Sequence, residues 1–249
     1  MASTQQILGI KFFDGDVDDA VNVMLAHGGF LVVPAAPALT KLHGADLPYR
    51  DALAKADLAI ADSGAMVLFW RMLKGRKVRR ISGLAYFKSL VKQKSFREPR
   101  QSFFVLPNET AARKLLDWSQ RANMTIAPNN CYIAPIYGEK VEDRQLLATI
   151  EDGHPTHIVI GIGNGPQEKL GHFLRDQLSY RPAIHCIGAA LGFLTGDQVA
   201  IPNWADRFYL GWLLRLFAQP RIFIPRLTRA LELPWLIFRY GEELPPIAK

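Results

Sequence analysis

Asp62 closes the short apolar run Leu58-Ala59-Ile60-Ala61 and precedes Ser63-Gly64, which places a carboxylate where a strand gives way to a loop. A carboxylate there can reach a sugar hydroxyl and take its proton as the oxygen attacks an anomeric carbon. The competing account is structural, an Asx turn before Gly64. A second candidate is Gly161-Ile162-Gly163-Asn164-Gly165-Pro166-Gln167-Glu168, lying between an apolar run and a helical pattern. Glycines let a backbone approach a phosphate, and a helix N-terminus offers free N–H groups to it. Pro166-Gln167-Glu168 replaces the later glycine of the dinucleotide fingerprint, so a nicotinamide enzyme is disfavoured, and a plain tight turn stays open as the alternative.

Other residue groups point away from familiar chemistry. Asp14-Gly15-Asp16 has the form of a metal-binding acidic triplet, yet Asp16 stands where a helix N-cap belongs and Asp18-Asp19 fill the first turn, where the helix dipole favours negative charge. The histidines at 27, 43, 154, 157, 172 and 185 show no zinc-ligand spacing and read as surface or satisfied core residues. No metal site and no cofactor are expected. Neither a Gly-x-Ser-x-Gly elbow nor a Gly-x-x-x-x-Gly-Lys loop occurs, which removes the commonest hydrolase and NTPase readings. Cys131 and Cys186, the two cysteines, stand in unrelated contexts and read as packing residues of a reduced compartment. Of the basic runs Lys74 to Arg80 and Lys88 to Arg100, most can be solvated; Arg79 and Arg80, before the Ile81-Ser82-Gly83 turn, are the candidates for ligand contact.

The elements that must position these residues alternate. Helices are predicted over 17–26, 45–55, 109–122, 142–151 and 166–178, and strands over 30–34, 58–61, 102–106, 124–127, 157–162 and 183–187. Short Val-, Ile- and Leu-rich strands alternating with helices predict an α/β fold, a Rossmann-like, mainly parallel sheet with helices on both faces, whose ligands lie at the carboxyl ends of the strands. Residues 1–200 form this expected core. From about Pro202 the composition turns to Trp, Phe, Leu and Arg with interspersed prolines, so 201–249 is read as a basic, aromatic helical appendage. Trp204, Phe208, Trp212, Leu213, Leu216 and Phe217 can share one helical face beside Arg207 and Arg215, a pattern that suits either an anionic membrane surface or packing on the core. The arginines there also have the planar donor fork that grips phosphate.

With 249 residues, half of them apolar, the chain can bury one large core or two close lobes. A net charge of +7 and a pI near 9.5 favour an anionic partner without choosing among lipid, sugar nucleotide, lipid diphosphate and nucleic acid. The polar start, the absence of any apolar stretch of about 18–20 residues and the arginines that break the C-terminal part predict a cytoplasmic protein without a spanning helix.

The order of these segments resembles the WecG/TagA/CpsF family, glycosyltransferase family 26, over roughly residues 7 to 230. The most specific likeness is Ile158 to Glu168, with its apolar strand, glycine turn and Pro-x-Gln-Glu-like ending; also similar are Ala56 to Asp62 ahead of Gly64, and Ile187-Gly188 running to Phe193-Leu194-Thr195-Gly196. Pro202-Asn203-Trp204, Leu210 to Leu216 and Pro220-Arg221 follow the family's closing pattern. The resemblance implies a UDP-sugar donor, an undecaprenyl-diphosphate-linked sugar acceptor, inversion at the anomeric carbon and no essential metal, in polymer synthesis at the inner face of the cell membrane. It implies Asp62 as the base and Gln167 and Glu168 in the nucleotide pocket; Ser63, Gly64, Arg79, Gly163, Asn164, Pro166 and Gly188 are the further substrate-binding candidates. Arg215 and Arg221 would then belong to an appendage closing over the diphosphate. Homo-oligomers are compatible with it, and nucleic acid is not an expected partner.

This chain departs from the pattern where Pro34-Ala35-Ala36-Pro37 replaces a segment with Asn, where Asp-Gly becomes Asp62-Ser63, where Gly192 takes the place of an Asp, and where Pro107-Asn108-Glu109-Thr110 replaces a glycine-rich turn. Losing polar groups from a pocket alters sugar choice. The same losses at Ala36 and Gly192 motivate an alternative, a non-catalytic membrane-surface protein that recognises a lipid-linked glycan or a partner enzyme.

Overall fold

The computed structural model describes residues 3–196, 228 and 230–247. Among them the strands are β1 (Ser3–Ile7), β2 (Ile10–Asp14), β3 (Gly29–Val32), β4 (Leu58–Ala59), β5 (Ser102–Leu106), β6 (Cys131–Ile133), β7 (His157–Ile160) and β8 (Ala183–Cys186). They form one sheet in the order β1-β2-β4-β3-β8-β7-β5-β6. Only the β1–β2 pair is antiparallel, joined by a Leu8-Gly9 turn in which both residues have positive φ. The remaining pairs are parallel, with Leu31 beside Leu58 and Phe30 beside Ile184 in the centre.

Helices cover both faces, as buried parallel strands require. Along β3, Phe30 and Val32 enter one core while Leu31 and Val33 enter the other, the two-residue alternation of a strand buried on both sides. The first core takes α3 (Leu47–Ala54), α4 (Gly64–Lys74), α8 (Arg144–Gly153), α9 (Pro166–Gln177) and α11 (Leu233–Tyr240). The second takes α1 (Val17–His27), α5 (Gly83–Leu90), α6 (Lys94–Arg97), α7 (Glu109–Arg121) and α10 (Ala190–Thr195). A short α2 (Ala36–Leu39) follows β3.

Asp16 caps α1: its carboxylate accepts the Asp19 N–H at 2.9 Å, while Asp19 accepts the Asp16 N–H at 3.4 Å. Asp14 is engaged elsewhere, accepting the Arg79 N–H at 2.8 Å. The strand expected at 124–127 begins seven residues later instead, at Cys131. Asn123 turns into the left-handed region and the Met124 N–H returns to the Ser119 carbonyl at 2.8 Å, which consumes the residues that would extend; pairing with β5 begins at Cys131, opposite Phe104. Of the segment read as an appendage, Trp204 to Phe217, Arg215 and Arg221 lie outside the described residues. Its final part, α11, lies on α4 and sends Leu233, Leu236 and Ile237 into the first core. No helix among the described residues is long and apolar enough to cross a membrane.

Candidate active site

The carboxyl ends of β3, β4, β7 and β8 lie side by side, and the chemically capable residues gather there. Asp62 follows β4. Ser63, next in sequence, caps α4 through its hydroxyl, which accepts the Met66 N–H at 3.2 Å. Ser82 caps α5 in the same way by accepting the Ala85 N–H at 3.1 Å. The first N–H of α5, on Gly83, donates to Asp62 Oδ1 at 3.2 Å. The N-terminus of α5 thus meets the Asp62 carboxylate and favours its negative charge, while α4 begins just after Asp62 in the chain.

Arg80 completes the enclosure. Its Nε donates to the Asp62 carbonyl at 2.8 Å and its Nη2 stands 3.8 Å from Oδ1, with the guanidinium side chain only 17% exposed. The Asp62 side chain keeps 34% of its surface open. It is fixed in orientation and still reachable, the state a general base requires. Arg79 points elsewhere: its backbone N–H binds Asp14 and the residue is exposed. The Ser82-Gly83 pair carries the signal for the Gly83 contact, a helix-capping serine placed where a carboxylate meets the first turn.

Across β8, Gly188 joins this half of the site to the other. A methyl at Gly83 would stand 3.2 Å from Val33, 3.7 Å from Ala190 and 3.7 Å from the Ile187 carbonyl; a methyl at Gly188 would meet Asn164 Oδ1 at 3.4 Å and the Gln167 amide at 3.5 Å. The β7–α9 turn uses positive φ at Gly163 and Gly165, where open space faces the chain. Two of its donors stay within the turn, and a third is lacking. Gly165 N–H donates to Glu168 Oε2 at 2.6 Å, Pro166 has no N–H, and Gln167 N–H donates to the Gly163 carbonyl at 3.2 Å.

Glu168 is wholly buried and binds Gln167 Nε2 at 2.8 Å as well as Gly165. Burial raises its pKa, against the lowering effect of those hydrogen bonds. Gln167 is equally buried, and its Oε1 has no hydrogen-bond partner. A buried acceptor left unpaired costs about 1–3 kcal/mol. Behind the turn, the Cys186 thiol donates to the Gln167 carbonyl at 3.1 Å, and Cys131 and Cys186 are both free.

The family model for the glycosyl transferase WecG/TagA/CpsF family matches residues 5–245. The chain belongs to this family. The protein is accordingly a glycosyltransferase, and its Asp62 and Gln167 stand on either side of β8 at the open end of the family's sheet. Among curated proteins it is similar to the N-acetylglucosaminyldiphosphoundecaprenol N-acetyl-beta-D-mannosaminyltransferase of Bacillus spizizenii, with 22% identity over 237 residues that cover 93% of this chain and 88% of the relative. The WecG/TagA/CpsF match begins within β1 and runs past α11, so most of the hairpin and all of the last helix fall within the family's span.

Proposed function

We propose that this protein transfers a sugar from a UDP-sugar to a hydroxyl of an undecaprenyl-diphosphate-linked sugar, with inversion at the anomeric carbon. The observation that carries the reading is Asp62, half-open at the end of β4 and held by Gly83 N–H and Arg80. Asp62 takes the proton of the acceptor hydroxyl while that oxygen forms a bond to the anomeric carbon; the bond from that carbon to the diphosphate breaks, and UDP leaves with the electron pair. A single attack from the face opposite the leaving group inverts the centre. Ser63 and Gly64 border the acceptor side at the start of α4, and Arg80, from the connection between α4 and α5, holds Asp62 beside them; Arg79, its neighbour in that connection, is the outer basic residue.

Asn164 and Gln167, across Gly188, belong to the donor side, where the unpaired Gln167 Oε1 accepts a hydroxyl or imide N–H of the sugar nucleotide. Gly163, Pro166 and Glu168 set that turn, and Arg215 and Arg221 meet the diphosphate charge. The activity needs no metal in this reading. The relative's name supports the acceptor class, but 22% identity does not carry its sugar over, and the buried apolar Ala36 and the small Gly192 favour a different preference. The place of action is the inner face of the cell membrane, where the lipid-linked acceptor resides.

The test is UDP release from a panel of UDP-sugars with a short-chain polyprenyl-diphosphate sugar, in EDTA and in added metal, for the parent and Asp62→Asn. Removing a general base costs roughly 100-fold to 10,000-fold, and Asp62→Asn is expected in that range. Full turnover by Asp62→Asn would rule out the base. A parent that releases no UDP from any donor yet binds the lipid diphosphate would indicate the recognition protein instead.

A further inference from the structure

Of the ten large apolar side chains exposed among the described residues, six lie on or beside α4 and α11. On α4, Leu68 and Met72 are one turn apart and diametrically opposite the buried Met66 and Trp70. On α11, Trp235 and Phe238 continue from Leu231 at spacings of four and three, opposite the buried Leu233, Leu236 and Ile237. Met72, Leu231 and Phe238 are 70%, 70% and 67% exposed. Single apolar residues on a surface are ordinary, whereas a contiguous patch marks an interaction face.

The two stripes form one surface. Both helices bury their inner sides in the same core, and Lys74 Nζ reaches the Phe238 carbonyl at 3.2 Å, so they lie side by side in one layer with their outer sides facing the same way. Charge identifies the occupant. No acidic residue occurs from Ser63 to Arg97, and Arg71, Lys74, Arg76 and Lys77 follow the α4 stripe, with Arg239 beside Phe238. Arg76 pairs with Glu242, and against Glu232 and Glu243 at the two ends of α11 stand Arg71, Lys74, Lys77 and Arg239, which leaves an excess of positive charge around the apolar centre. A second copy docked by the same face would set these cations against one another. An anionic bilayer meets both needs: Trp and Phe seat at the headgroup level while Lys and Arg snorkel to lipid phosphate.

We propose that the paired outer faces of α4 and α11 are the surface by which this protein lies on an anionic membrane. This rests on the reading of a lipid-linked acceptor and gives that acceptor a direction of approach. The α4 N-terminus directly follows Asp62, and Leu68 is only about 6 Å along the helix axis from the first residue of α4, at 1.5 Å per residue. The helix that begins at the base also carries the lipid-facing stripe.

Co-sedimentation of the full chain with phosphatidylcholine vesicles, with and without phosphatidylglycerol and free of any lipid diphosphate, tests the surface apart from catalysis. Met72→Glu with Trp235→Glu is expected to lower binding at least about tenfold, and Arg71→Gln with Arg239→Gln to lower only the part that requires phosphatidylglycerol. Turnover of a water-soluble short-chain acceptor should be the same in both variants as in the parent. Vesicle binding at the parental level by Met72→Glu with Trp235→Glu overturns the proposal, as does a parental dimer that this variant dissolves while vesicle binding persists. A parent that binds vesicles through this face yet turns over no acceptor would leave the surface standing and remove the transferase reading.

Discussion

His157 and His185 show how far a single buried residue can govern the molecule. They lie side by side on β7 and β8, with His157 Nδ1 3.3 Å from His185 Nε2 and the Tyr86 hydroxyl 2.9 Å from His185 Nδ1. Burial disfavours the cation of each: it pulls the pKa of His157 down from 6.5 to about 4 and that of His185 well below its usual value, where the neighbouring His157 adds to the effect. Above 6.5 neither the folded nor the unfolded state is protonated and the pair's stability is intact. As pH falls from 6.5 towards 4, the unfolded chain takes up protons that the fold refuses, and stability declines. The His157 share amounts to about 2 kcal/mol at pH 5. Urea denaturation at about pH 7 and about pH 5 should show the parent losing at least this much, and His157→Phe losing less by about one proton's worth; equal pH slopes would exclude the imidazole as the source. The sequence lets these histidines be read as satisfied core residues, but it gives no sign that β7 and β8 are adjacent. For the same reason Asp62 and Gln167 are separately legible as strand-end and turn residues, while Arg80 and the Gly83 N–H, which hold Asp62, become evident only once the chain has folded.

At the scale of elements, the approach of α9 to the sheet rests on Gly171. A methyl group there would stand 2.5 Å from the Phe30 ring and 2.7 Å from Cys186 Sγ, on the neighbouring strands β3 and β8. Gly171→Ala must push α9 outward, at about 1–3 kcal/mol of overpacking. Because α9 carries Gln167 in its first turn, the shift should raise the KM for the donor more than it lowers kcat. Gly138→Ala, which has open space around it, is the matched control and should change neither stability nor kinetics. Thermal melts with donor titrations would check both, and parental KM and stability in Gly171→Ala would show that the helix has room to spare. Such packing is invisible in a pattern of apolar residues. The alternation of strands and helices was legible because buried strands and amphipathic helices leave distinct periods, and the predicted 102–106 strand matches β5 exactly in its bounds. The β1–β2 hairpin was not read: its turn is Leu8-Gly9, and its first strand is mostly polar because it lies at the sheet edge. Helices α4 and α5 were obscured by their basic residues, which mark solvated surfaces as readily as loops.

For the whole molecule, the closure between the two ends of the described chain matters most. Residues after 230 return across the first core: Leu8 N–H donates to the Gly241 carbonyl and Gly9 N–H to the Glu242 carbonyl, each at 2.8 Å, and Gln6 Nε2 reaches Glu242 O at 3.0 Å. Arg50 donates to the carbonyls of Leu42 and Pro245, and Arg76 pairs with Glu242. Gly9 leaves no room for a side chain, since a methyl there would come within 2.6 Å of Leu244. Leu233, Leu236 and Ile237 are fully buried in α11, at about 1.5–3 kcal/mol each for removal from water. Their sum, roughly 5–9 kcal/mol, is comparable to the entire stability of an ordinary domain. A chain ended after residue 230 should therefore lose cooperative melting, followed by circular dichroism, whereas Leu236→Ala in the full chain should fold with a loss of about 2–5 kcal/mol. Parental melting of the shortened chain would make α11 a passenger. Cooperative loss would instead tie the last helix to the active site through α4, since the helix on which α11 packs is the one that Ser63 caps immediately after Asp62.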